Sequence, residues 1–153
     1  LLNEGGSGGG GDGIGADLDA ARAEARALAA KGKLGEAAAV FEHSRSQAIG
    51  ERSRFLWDIE KARLCLDAGR DDLAMGLLLH LDKLAHEASL DSWDPGICID
   101  LTALLLRCDS EGSSPESGSD RAALRQDWET RLSRLDMRAA VELIKVSAGT
   151  GAG

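Results

Sequence analysis

Tyrosine is absent from this 153-residue chain, phenylalanine and proline occur twice each, and tryptophan occurs three times. Valine occurs 3 times and isoleucine 6 times, against 24 alanines and 23 leucines. β-Branched and aromatic side chains suit a pleated, half-buried surface, so their scarcity excludes a sheet protein. Alanine and leucine are strong helix formers, which leaves an all-α class. No apolar run approaches the roughly 20 residues of a membrane span. A basic excess is missing too. The chain holds 18 Lys and Arg against 26 Asp and Glu, a formal charge of −8. That balance offers no electrostatic footprint for nucleic acid or an anionic membrane. The three cysteines, Cys65, Cys98 and Cys108, form no CxxC pair and lie in apolar stretches. They read as small buried hydrophobes in a reducing compartment.

Catalytic motifs are equally sparse. There is no GxSxG and no GxxxxGK[ST], so neither a nucleophile elbow nor a phosphate cradle is present. Gly6, Gly8 and Gly11 satisfy GxGxxG, but any glycine tract does, and no strand precedes this one. His80 and His86 are six apart, about 240° around a helix, so they share no face. Glu87 follows His86 without completing HExxH. The run 67–72 lacks the alternating oxygen ligands and closing glutamate of a calcium loop. No catalytic residue, cofactor site or metal site is therefore expected, and an enzyme is the poorer hypothesis. Pairs such as Asp127 with Arg131 read as exposed salt bridges worth little.

What is present reads as helices separated by glycine. The chain opens on Leu1 rather than Met with no signal-like start, which points to a fragment of a longer protein. Of the 19 glycines, 8 lie in residues 5–15 and 3 in residues 149–153. Residues 1–15 are expected to be a disordered glycine-rich tether, residues 16–148 a helical domain, and residues 149–153 a disordered tail. About six helices are expected: 16–31, 34–49, 51–68, 72–88, from Pro95 to about 108, and from Ser119 or Asp120 to about 146. Gly32, Gly50 and Gly69 end the first three. Asp94 is placed to cap the fifth and Pro95 to occupy its first turn, with Trp93 packing back on Cys98. Residues 109–119 read as a polar loop.

Residues 31–37 align with residues 68–74 at an offset of 37, each unit being helix, glycine turn, helix. The period is near that of tetratricopeptide repeats, and the expected architecture is stacked antiparallel helical hairpins. Leu77-Leu78-Leu79 and Leu104-Leu105-Leu106 each spread apolar groups over about 200° of helix surface. A helix with one face in solvent shows a narrower stripe. That width needs a second cover, from another helix of this chain or from a neighbouring subunit, and the subunit interface is the reading preferred, which makes the chain an oligomer. The expected interface is Leu77, Leu78, Leu81, Leu104, Leu105 and Leu106, with Trp128 and Leu132 as second choice. Trp57, Trp93 and Trp128 otherwise read as core or capping residues.

Three stretches, in order, carry a resemblance. They are Arg54-Phe55-Leu56-Trp57 through Leu77-Leu78, then Leu90-Asp91-Ser92-Trp93-Asp94-Pro95 with Leu105-Leu106-Arg107-Cys108, then Arg131-Leu132-Ser133-Arg134-Leu135-Asp136-Met137-Arg138-Ala139-Ala140. Together, over about residues 31–144, they resemble the C-terminal domain of the TssA family (also ImpA or VasJ) of the bacterial type VI secretion system. Met137 stands where that family usually has proline, so the last helix is expected to run unbroken there. The resemblance implies a non-enzymatic structural component, cytoplasmic and associated with the secretion apparatus. It implies self-association into a ring or stacked multimer, and action in tail biogenesis with baseplate, sheath and inner-tube proteins as partners. The rival reading is a monomeric tetratricopeptide-like adaptor that binds a peptide.

Overall fold

The structure is a computed structural model that describes residues 9–111 and 119–152. Among the described residues there are eight helices and no strand: α1 Gly9–Ala30, α2 Leu34–Gln47, α3 Glu51–Asp67, α4 Asp71–Glu87, α5 Leu90–Trp93, α6 Pro95–Glu111, α7 Ser119–Leu135 and α8 Met137–Ala152. The all-α expectation holds, but the count is eight rather than six. The chain divides into two compact units, residues 1–64 and residues 65–153.

α1 begins at Gly9, inside the 1–15 stretch, and α8 runs to Ala152, through most of the 149–153 tail. Extending an existing helix adds a hydrogen bond per residue without the cost of a new nucleus, which offsets glycine's poor propensity. Residues 1–8, the rest of the expected tether, lie outside the described residues, as do residues 112–118 of the expected 109–119 loop.

The two aligned turns have the same geometry. After α1, Gly32 has φ 79°, its N–H donates to Ala29 O at 2.9 Å, and Lys33 N–H donates to Leu28 O at 3.0 Å. After α3, Gly69 has φ 79°, with Gly69 N–H to Leu66 O at 3.0 Å and Arg70 N–H to Cys65 O at 2.9 Å. This is the Schellman ending, in which a left-handed residue lets two amide protons return to the last turn's carbonyls. A side chain at either position would carry the cost of a positive φ, so glycine sits at both.

Within the first unit, α1 packs on α2. Its core is Ala21, Ala25, Ala37, Phe41 and Trp57, flanked by Leu18, Leu28 and Val40. The Phe41 and Trp57 rings lie 6.1 Å apart at 32°. Small alanines let the two helices approach, and the aromatic pair fills the space that remains. Buried Glu60 is held by charge: Arg22 Nε donates to its Oε1 at 2.8 Å and Arg63 Nη1 to its Oε2 at 2.7 Å.

Within the second unit, α6 is the central element, packed by α4, α5, α7 and α8. Its start is as read from the sequence: Ile97 N–H donates to Asp94 Oδ1 at 3.3 Å, and Pro95 opens the helix. Trp93 departs from expectation. It is 55% exposed and its Nε1 donates to Ala88 O at 2.7 Å, so it satisfies a carbonyl at the end of α4. The last helix is also divided, contrary to the unbroken run expected at Met137. Ala139 N–H donates to Asp136 Oδ1 at 3.1 Å and Ala140 N–H to Asp136 O at 3.0 Å. Asp136 thus caps a new helix, and a cap residue needs non-helical backbone whether or not proline follows.

Candidate functional site

The eight leucine and tryptophan positions expected at an interface are almost all interior. Leu78, Leu105 and Leu132 are fully buried, Leu81 and Trp128 are 1% exposed, Leu106 3% and Leu104 5%. Only Leu77 is half-buried. Of the two covers left open by the sequence, helices of the same chain are the one seen among the described residues. α6 has helices of its own chain on several sides, and a helix so enclosed is apolar nearly all round. As surface contacts, seven of the eight are unavailable in this fold.

Polar anchoring accompanies this core. Trp128 Nε1 donates to Asp82 Oδ2 at 3.2 Å, joining α7 to α4. Arg131 Nη2 lies 2.7 Å from Asp82 Oδ1, an ion pair whose angle falls outside hydrogen-bond geometry. Arg131 Nε donates to Thr102 Oγ1 at 2.8 Å, and Thr102 Oγ1 donates to Cys98 O at 2.7 Å. The expected partner of Arg131, Asp127 one turn earlier, is displaced by Asp82, because an arginine between two helices gains more from a desolvated carboxylate than from an exposed one. A second anchor lies at buried Asp109, which accepts from Arg121 Nη1 at 3.2 Å and Arg125 Nη1 at 2.6 Å. The sequence shows these arginines but not their partners, which lie from 12 residues away (Asp109 from Arg121) to 49 (Asp82 from Arg131).

The three cysteines are buried, as expected, and none is in a disulfide. Burial pushes the Cys98 thiol up, with the Arg131 charge and the Thr102 hydrogen bond opposing it. A thiol held neutral is a poor nucleophile, so Cys98 packs rather than reacts. Among the described residues, no group of three or more His, Cys, Asp or Glu converges as a metal site, and no helix is long and apolar enough to cross a membrane.

Two open grooves lie among the described residues. One, in the second unit, encloses about 620 Å³ beside Asp82, His86, Asp91, Trp128, Arg131 and Arg134. Two of its acids are paired: Asp82 lies against Arg131, and Asp91 Oδ2 accepts from Arg134 Nη2 at 2.9 Å. The other, in the first unit, encloses about 1060 Å³ along α1 and α2, over Ala21, Leu28, Val40 and Trp57. The exposed large apolar side chains are scattered. Leu73 (43%) and Leu84 (40%) share a side of α4 with Leu77, and Met137 (62%) and Val141 (52%) are one turn apart on α8.

A family model described as "Type VI secretion, EvfE, EvfF, ImpA, BimE, VC_A0119, VasJ" matches residues 4–105, about two thirds of the chain. No curated protein and no solved structure matches the chain.

Proposed function

The chain belongs to this ImpA/VasJ family of type VI secretion proteins, and from that premise we propose that it is a structural assembly component of the secretion apparatus. In this reading it acts on the bacterial cytoplasmic side without catalysing a reaction. Copies associate into a ring or stacked multimer that takes part in building the baseplate and tail, against sheath and inner-tube proteins. Family membership is the observation that carries the proposal.

The mechanism is geometric. A closed ring repeats one heterologous contact about an axis, and a stacked pair adds a two-fold contact. Each copy then presents the same weak site to a symmetric tail, so avidity replaces individual affinity. The leucine core is the wrong place for those contacts, and its role is to hold the second unit rigid. Among the interface candidates read from the sequence, Leu77 keeps a role at the surface, now with Leu73 and Leu84 on α4. Met137 and Val141 on α8 form a second small patch. Negative-stain imaging of the purified chain tests the reading. Rings or stacked rings are the expected particles, and a field of single small particles at high concentration would refute it. Leu77→Asp is expected to shrink the assembly while helical content stays constant.

A further inference from the structure

The α1–α2 groove combines an apolar floor with an acidic rim. Its floor is apolar: Leu28 and Val40 are half-buried beneath it, Trp57 is 4% exposed, and the walls carry exposed Ala20 and Ala39. The small side chains keep the space open, at about 1060 Å³. Ile49 stands at one end with 92% of its surface in water, the most exposed large apolar side chain among the described residues.

The rim is acidic on both walls. Asp17 and Glu24 are two turns apart on α1, and Glu36 lies on α2. All three are exposed, and among the described residues no cation is ion-paired with any of them. Of the two arginines of α1, Arg22 is held by Glu60 and Asp19. By contrast, Asp82, Asp91 and Asp109 of the second unit are all engaged by arginines. Among the described residues, His43 is the other titratable group on this groove.

We propose that the α1–α2 groove of the first unit binds one amphipathic helix of a basic partner protein, its apolar stripe on Leu28, Val40 and Ile49 and its Lys or Arg flanks on Asp17, Glu24 and Glu36. A helix laid in an apolar groove is a recurring recognition mode. Charge selects the occupant. A second copy carries a net charge of −8 and is a poor match for an acidic rim. The chain's own first fifteen residues hold Glu4 and Asp12 and no Lys or Arg, so they do not match it either. This docking is independent of the ring proposed above.

The test is fluorescence anisotropy with the whole chain and a labelled peptide of about five helical turns. The peptide has leucines at helical spacing on one face and lysines on both flanks; its control has glutamates for the lysines. The lysine peptide is expected to bind at least about tenfold more tightly, with affinity falling as salt rises. The triple substitution Asp17→Lys, Glu24→Lys, Glu36→Lys is expected to weaken it at least about tenfold. A matched triple in the second unit, Glu87→Lys, Asp127→Lys, Glu142→Lys, is expected to change it less than about threefold. Equal weakening by the two triples would mean attraction to overall charge and would overturn the proposal. So would indifference to peptide charge, or loss of self-association in the groove triple with peptide affinity intact, which would assign the groove to a second copy. Ala39→Arg, an exposed single change on the wall, gives a second reading if the triple loses helix. Blocked binding supports the site, and full-affinity binding removes it.

Discussion

Leu105→Ala separates a core leucine from an interface leucine. Leu105 is fully buried within one copy, at the middle of α6, where helices of the same chain surround it. Truncation removes the buried carbons beyond Cβ and leaves a cavity that close-packed neighbours fill only in part. The expected cost is about 3 kcal/mol, the middle of the usual range for leucine to alanine in a core. The second unit spans residues 65–153, and in a unit of that size the loss lowers the melting temperature by roughly 12–24 °C. Thermal melts by circular dichroism, run beside light scattering at matched concentration, read both quantities. The expected outcome is a large fall in melting temperature with particle size unchanged below the transition. An unchanged melting temperature together with a smaller particle would refute the reasoning, since it would mean that Leu105 is covered by another copy.

Further substitutions probe other parts of the fold. Arg131→Met leaves Asp82 with only the Trp128 N–H as a strong partner and is expected to cost about 2–3 kcal/mol. Pairing it with Asp82→Leu should recover part of that loss in urea melts, and strict additivity would show that the two do not interact. Gly69→Ala meets nothing within 4 Å, so its cost is the positive φ alone, about 1 kcal/mol. Gly32→Ala has the same φ and the same open space, and a markedly different cost at the two turns would break their equivalence. At Asp72, the hydrogen bond from Arg70 holds the carboxyl at about 2, below its ordinary 3.8. A depressed value means that its stabilisation is present above about pH 3.8 and lost as pH falls through about 2. The stability gap between wild type and Asp72→Asn should close over that window, and a gap that persists below it would contradict the assignment.

The helix boundaries were the most legible part of the sequence, because caps are local. Gly32, Gly69 and the Asp94-Pro95 pair act within a turn of where they stand. The division at Asp136 was missed for a related reason. The family's proline was the signal sought, while the capping carboxylate that does the work was already present. Leucine density was legible as a demand for cover, but not for whose. An apolar arc of about 200° is satisfied equally by helices of the same chain or of another. Only the arrangement of α4, α7 and α8 around α6 decides between them. The Asp82 and Asp109 anchors were illegible because their arginines sit in a different helix, and no spacing rule reaches that far. The α1–α2 groove escaped notice because its rim residues are ordinary surface acids until the helices bring both walls together.

Assembly itself is tested most directly by the mass of the whole chain in solution. Multi-angle light scattering across a concentration series should give several times 16.0 kDa, with the Leu77→Asp variant smaller and still helical. A wild-type mass of 16.0 kDa at every concentration would contradict the assembly role.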